Sequence, residues 1–99
     1  MTCAFHPEAS LELAEAADWY EDQSFGLGGR FLAAMALAVA AIRSDPERFP
    51  PLDGTIRIYR AKVYPYKIFY TYDQPTEAVY LYAVSHNRRR PEYWRGREK

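Results

Sequence analysis

His86 stands directly before Asn87 and three consecutive arginines, Arg88, Arg89 and Arg90. An imidazole in that setting could act as a neutral base near pH 7. The plainer reading is a strand-end histidine with one structural hydrogen bond. Upstream, seven of the nine tyrosines lie between Tyr59 and Tyr82, and Arg57, Arg60, Lys62 and Lys67 are interleaved with them. Rings for stacking and cations for phosphate are what RNA-binding sheets present. Tyrosines also pack with only their hydroxyls at the rim, and at least half of these are expected to do so. No metal is expected, since two histidines and the lone Cys3 offer no ligand spacing. No cofactor is expected either. The Gly26–Gly29 cluster has no strand before it and no phosphate-loop lysine after it. Nothing supports a serine nucleophile, and His6 is expected to cap or line the start of a helix.

The net charge is zero, but the two halves differ. Residues 1–55 carry three basic and nine acidic residues, and residues 56–99 carry ten basic and four acidic ones. A dipolar molecule of this kind suggests an anionic partner for the second half. Mutual attraction of the halves within one fold explains part of the segregation, but it does not explain three adjacent arginines.

These residues need a scaffold. Pro7 suits a first helical turn, and Glu8 to Asp22 is rich in Ala, Leu and Glu. Glu8, Glu12, Glu15, Asp18 and Asp22 fall on one stripe of that helix, opposite Ala9, Leu13, Ala16, Ala17 and Tyr20. Gly26-Leu27-Gly28-Gly29 predicts a tight reversal. A second helix is expected from about Arg30 to Ser44, with Phe31, Met35, Ala38 and Ile42 as its buried stripe and many alanines permitting close approach. Ser44-Asp45-Pro46 ends it. Strands are predicted at Ile56–Val63, Tyr66–Tyr72 and Val79–Ser85, with Thr2–Phe5 as an added edge strand. Alternation puts Tyr66, Ile68, Tyr70 and Tyr72 on one face. It groups Tyr80, Tyr82, Val84 and His86 opposite Val79, Leu81, Ala83 and Ser85. A helical hairpin followed by an antiparallel meander implies an α+β domain with helices on one face of the sheet. At ~100 residues, a single domain over 1–99 is expected.

Trp19 lies near the acidic stripe. Either the tail carrying Trp94 covers it, or Trp19 and Trp94 offer a surface to a partner. No apolar run reaches the ~20 residues needed to span a bilayer, and the N-terminus lacks the pattern of a signal peptide. With one cysteine, these features predict a cytoplasmic protein with no membrane partner.

An ordered set of segments carries a resemblance. It comprises Phe5-His6-Pro7-Glu8-Ala9, Trp19-Tyr20-Glu21, Gly28-Gly29-Arg30-Phe31, Ile42-Arg43-Ser44-Asp45-Pro46, Tyr64 to Tyr70, Ala83-Val84-Ser85-His86 and the tail Arg88 to Trp94. Together they resemble the RelE/ParE superfamily of type II toxin–antitoxin toxins, which includes plasmid stabilisation proteins. The resemblance implies a growth-inhibiting toxin with a cognate antitoxin that wraps it, and contact with operator DNA only through that antitoxin. RelE-like members cut messenger RNA on the ribosome without a metal. On that model His86, Arg60, Lys67 and Tyr93 would be catalytic, with His86 as base or acid. Arg57, Lys62, Arg88, Arg89 and Arg90 would hold the target. ParE-like members instead inhibit DNA gyrase by binding. The uninterrupted hairpin and the Pro91-Glu92-Tyr93-Trp94 tail resemble the ParE type slightly more. An inactive binding module is the third possibility. The readings share one expectation, a cationic, ring-studded sheet face that grips a macromolecule, on which Arg60, Lys67, His86 and the arginine run are expected to meet.

Overall fold

A computed structural model describes residues 1–97. Its elements are β1 (Thr2–Phe5), α1 (Pro7–Gln23), α2 (Leu27–Ser44), β2 (Pro51–Asp53), β3 (Ile56–Arg60), β4 (Tyr66–Asp73) and β5 (Ala78–His86). The strands form one sheet in the order β1-β5-β4-β3-β2. Three antiparallel pairings run from β2 to β5, and β1 lies parallel to β5 at the edge. This is the α+β, RelE/ParE-like arrangement that the segment order predicts.

Local chemistry sets each helix. His6 caps α1, its Nδ1 accepting the Glu8 N–H at 3.0 Å, and Pro7 occupies the first turn. The Glu21 carboxylate accepts from the N–H groups of Gly26 (2.9 Å) and Gly28 (3.0 Å), so a side chain from α1 caps α2. Helix α2 therefore begins at Leu27, not at Arg30 as expected. The glycines divide their roles. Gly26 takes a positive φ of 84° in the turn. Gly28 lies inside the helix, where an added Cβ would stand 2.6 Å from the Ala17 carbonyl oxygen, so it permits the close crossing of α1 and α2.

The main core lies between the helices and the sheet. Ala9, Ala16 and Ala17 of α1 and Phe31, Met35, Ala38 and Ile42 of α2 pack on Ile68, Tyr70, Val79, Leu81 and Val84. By length and composition α2, with mean hydropathy 1.4, is long and apolar enough to cross a membrane. Its buried Phe31–Met35–Ala38–Ile42 stripe is what an alanine-rich core helix presents. Tyr70 is fully buried, and its hydroxyl donates to the Pro46 carbonyl at 2.6 Å. Burial pushes its pKa up to about 12. Arg57, its cross-strand partner, donates from one guanidinium nitrogen to the carbonyls of Glu47 (3.0 Å) and Phe49 (2.7 Å). These contacts pin the loop after α2 to the sheet.

One feature of the sheet overturns an expectation. Phe69 pairs with Ala83 and Tyr70 with Leu81, so Tyr82 has no partner and β5 bulges there. A bulge reverses the alternation beyond it. Val84 therefore joins Val79 and Leu81 in the helix-side core, while Ala83 packs on the outer face with Ile58, Phe69 and Trp94. By the same register His86 pairs with Tyr66 on the helix side, and Ser85 pairs with Lys67 on the outer side. The predicted grouping of Val84 and His86 with Tyr80 and Tyr82 is corrected by this one extra residue.

Candidate functional site

After β5 the chain turns back over the outer face of the sheet. Trp94 stacks on Phe69 with ring centroids 4.6 Å apart and is 4% exposed. It does not cover Trp19, which remains 57% exposed on α1. Trp94 is thus part of a second, smaller core with Ile58, Phe69 and Ala83, and it offers little surface to a partner.

What holds this tail is Glu12. Strand β1 pairs with β5 only as far as Leu81, which leaves the β1-side edge of β5 without a strand partner from Tyr82 onward. The Glu12 carboxylate accepts the Val84 N–H at 3.0 Å, and Arg97 donates to the Tyr82 carbonyl at 2.8 Å. Arg97 and Glu12 then pair through two nitrogens, at 3.0 and 2.8 Å. The Tyr93 hydroxyl donates to Glu12 at 2.6 Å, and Arg89 lies 3.6 Å from the same carboxylate and 3.8 Å over the Tyr93 ring. Both partners of the central pair are about nine-tenths buried. The Tyr93 pKa is pushed up to about 12, first by burial and next by its hydrogen bond to Glu12. The hydrogen bond to Glu12 is the largest influence holding the Arg97 pKa above its usual value.

Glu12 was expected on the exposed acidic stripe. The available signal was its position, three residues after Ala9 and four before Ala16, both of which are buried. A residue so placed borders the apolar arc and can reach inward.

Between the tail and the sheet lies a cleft of about 290 Å³. Arg60 and Lys67 enter it as direct cross-strand partners, and Ser85 follows Lys67 in the same transverse row. The tail contributes Arg89, Arg90, Glu92, Tyr93, Trp94 and Arg95. Arg95 pairs with Asp53 at 2.9 Å and with Glu92, so the two acids of the cleft are already matched. Among the described residues Arg60, Lys67 and Arg90 form no ion pair.

The expected site residues therefore separate into three groups. Arg60, Lys67, Arg89, Arg90 and Tyr93 share the cleft. Lys62 lies beyond its rim beside Arg48, Phe49 and Tyr59, and Arg88 is exposed outside it. Arg57 is on the helix side, with one guanidinium nitrogen bonded to loop carbonyls. His86 also leaves the group. It lines a separate hollow with Trp19, Tyr20, Pro65 and Tyr66, edge-on to the Tyr66 ring at 5.1 Å. Its Nδ1 accepts the Arg88 N–H at 2.9 Å. The surface that was expected to unite Arg60, Lys67 and His86 is divided by the sheet itself. No group of His, Cys, Asp and Glu among the described residues is arranged to hold a metal ion.

The strand–hairpin–sheet order and this basic outer face agree with a comparison against family models. The family described as ParE toxin of type II toxin–antitoxin system, parDE, matches residues 4–91. The chain belongs to that family. It is accordingly a toxin of the type II toxin–antitoxin class, and the family implies a cognate antitoxin as its partner. No curated protein matches the chain. The matched span of this ParE-family toxin ends at Pro91, so Tyr93, Trp94 and Arg97, which close the tail onto the sheet, lie beyond it.

Proposed function

We propose that this ParE-family toxin inhibits growth by binding DNA gyrase and catalyses no reaction on it, and that it does so in the cytoplasm. One observation carries this reading. Among the described residues, the cleft that gathers Arg60, Lys67 and Arg90 has no free proton-transfer pair beside them. His86 lies on the other side of the sheet, and the Tyr93 hydroxyl is held by Glu12. Metal-independent cleavage of RNA needs a base and an acid within reach of one phosphodiester. Binding needs only the cations and the shape around them. The RNase reading keeps one point in its favour, the grouping of Arg60, Lys67 and Arg90 in a concave site.

Induction of the toxin without its antitoxin tests the proposal. Plasmid isolated after induction should lose negative supercoils, while primer extension shows intact messages. Cuts at defined positions within codons, with normal supercoiling, would overturn it. His86→Ala should remain toxic. A well-folded His86→Ala protein that no longer inhibits growth would return the imidazole to a catalytic role.

A further inference from the structure

The hollow beside His86 is walled mainly by aromatic rings and lies on the helix side of the sheet. Trp19 and Tyr20 come from α1, Pro65 and Tyr66 from the entry to β4, and His86 from the end of β5. Its volume is about 390 Å³. Trp19 meets Tyr20 edge-on with centroids 5.1 Å apart, and Tyr66 meets His86 in the same way at 5.1 Å. Trp19 is more than half exposed, which is a costly position for so large a ring. Helix α1 supplies negative charge beside it. Residues three and four apart are neighbours on a helix, so Glu15 and Asp22 flank Trp19. At ~100° per residue both acids fall to one side of Trp19 and Tyr20 to the other, so the indole stands between the carboxylates and the hollow. Glu15 and Asp22 are exposed, and among the described residues neither forms an ion pair. No lysine or arginine side chain lines the hollow. Arg88 is close in sequence, but it meets His86 through its backbone N–H.

We propose that this hollow takes an arginine side chain presented by a partner polypeptide, with Glu15 and Asp22 as its counter-charges. The face of an aromatic ring attracts a cation, and a carboxylate within reach adds to the attraction. A guanidinium suits both, because it is flat enough to stack on an indole and pairs with a carboxylate through two parallel N–H groups. Tryptophan, tyrosine and arginine are also the residues that most often carry the energy of protein contacts. An apolar or proline-rich segment would fit the rings but leave both acids without a role. An acidic segment would be repelled by them. The hollow lies across the sheet from the cleft of Arg60 and Lys67, so the inference stands apart from the gyrase reading.

The test uses the full-length chain, isotope-labelled by cell-free synthesis, and follows its two indole N–H signals by NMR. Trp19→Phe assigns the Trp19 signal, and the buried Trp94 serves as an internal control. The probes are a capped tripeptide with arginine between two alanines and the same peptide with citrulline, the neutral isostere of arginine. A third version carries glutamate. The arginine peptide should shift the Trp19 signal to saturation and leave Trp94 unmoved. The citrulline peptide should bind about two- to fivefold more weakly, the range of an exposed cation–π contact. Glu15→Gln/Asp22→Asn should lose about two- to fivefold for the arginine peptide, as exposed ion pairs do, and nothing for the citrulline one. Glu8→Gln, about three turns away on the same helix, should match the wild type. The substituted side chains are exposed, and circular dichroism confirms that each variant folds. Equal affinity for the arginine and citrulline peptides would overturn the proposal, as would a preference for glutamate. So would wild-type affinity in the folded double variant, or the absence of a saturable Trp19 shift. An equal loss in Glu8→Gln would reduce the effect to general attraction by an acidic helix and overturn the site as well.

Discussion

Two sets of charges flank the same tail and behave in opposite ways. Glu12, Arg97, Tyr93 and Arg89 are mutually satisfied and largely out of water, and they close the tail onto the free edge of β5. Arg60, Lys67 and Arg90 lie a few residues away in the cleft that the tail helps to form, without ion-pair partners among the described residues. A buried carboxylate that accepts from a backbone N–H, a phenol hydroxyl and a guanidinium supports structure, and removing it strands its partners. An exposed row of like charge adds nothing to stability and is available to a ligand. In this chain the two roles are separated by which acids reach which cations, and Glu12 makes most of that division.

The largest effect that can break this contrast is on stability. Glu12→Ala leaves the Arg97 guanidinium, the Tyr93 hydroxyl and the Val84 N–H without their acceptor. It should lower the unfolding free energy by about 3–5 kcal/mol, read from a urea titration. A loss below about 1 kcal/mol would show that the clasp is no more than a surface contact. The next effect is on pH dependence. Tyr93 and Tyr70 have folded pKa values of about 12, against the ordinary 10. Both hydroxyls ionise more readily in the unfolded chain. Their stabilising contribution is therefore fully present below pH 10 and is lost as pH rises through 10 to 12. Tyr93→Phe should flatten that decline without abolishing it, since Tyr70 remains. An unchanged profile would remove Tyr93 from the buried network. The smallest effect belongs to the open row. Arg60→Gln and Lys67→Gln should each change stability by no more than about 0.5 kcal/mol, with any change upward because a repulsion is relieved. A marked loss in either would show that these cations have structural partners after all.

Much of the scaffold was legible in the residues. Helix α1, the end of α2, strands β4 and β5 and the N-terminal edge strand appear where periodicity and propensity place them, whereas β3 starts at Ile56 as expected but ends at Arg60, short of the expected Val63. The Phe31–Met35–Ala38–Ile42 stripe is buried as expected. Strand β2 was not legible, because three residues beginning with a proline carry no alternation and gain their pairing only from Arg57 and Ile56 opposite. The glycine cluster predicted a turn but hid an interior role for Gly28, which depends on a carbonyl contributed by α1. The sites were less legible than the scaffold. Arg60, Lys67, Arg89, Arg90 and Tyr93 were named and do meet. Arg57, Lys62, His86 and Arg88 lie elsewhere, and Trp94 lines the cleft only from the second core. Glu12, which organises the tail, falls by spacing alone on the acidic stripe with Glu8 and Glu15, and nothing local beyond its border position marks it out.

From the sequence alone came the element order, the apolar faces and the concentration of positive charge in the second half. These depend on neighbours one to four positions apart, and the chain carries that information locally. The tertiary structure decided which side each later residue faces and which cations remain unmatched. Both outcomes follow from contacts across the fold. A single bulge at Tyr82 reverses the facing of the last four residues of β5. A carboxylate on α1, near the start of the chain, selects Arg89 and Arg97 from the five arginines between 88 and 97, which local spacing leaves indistinguishable.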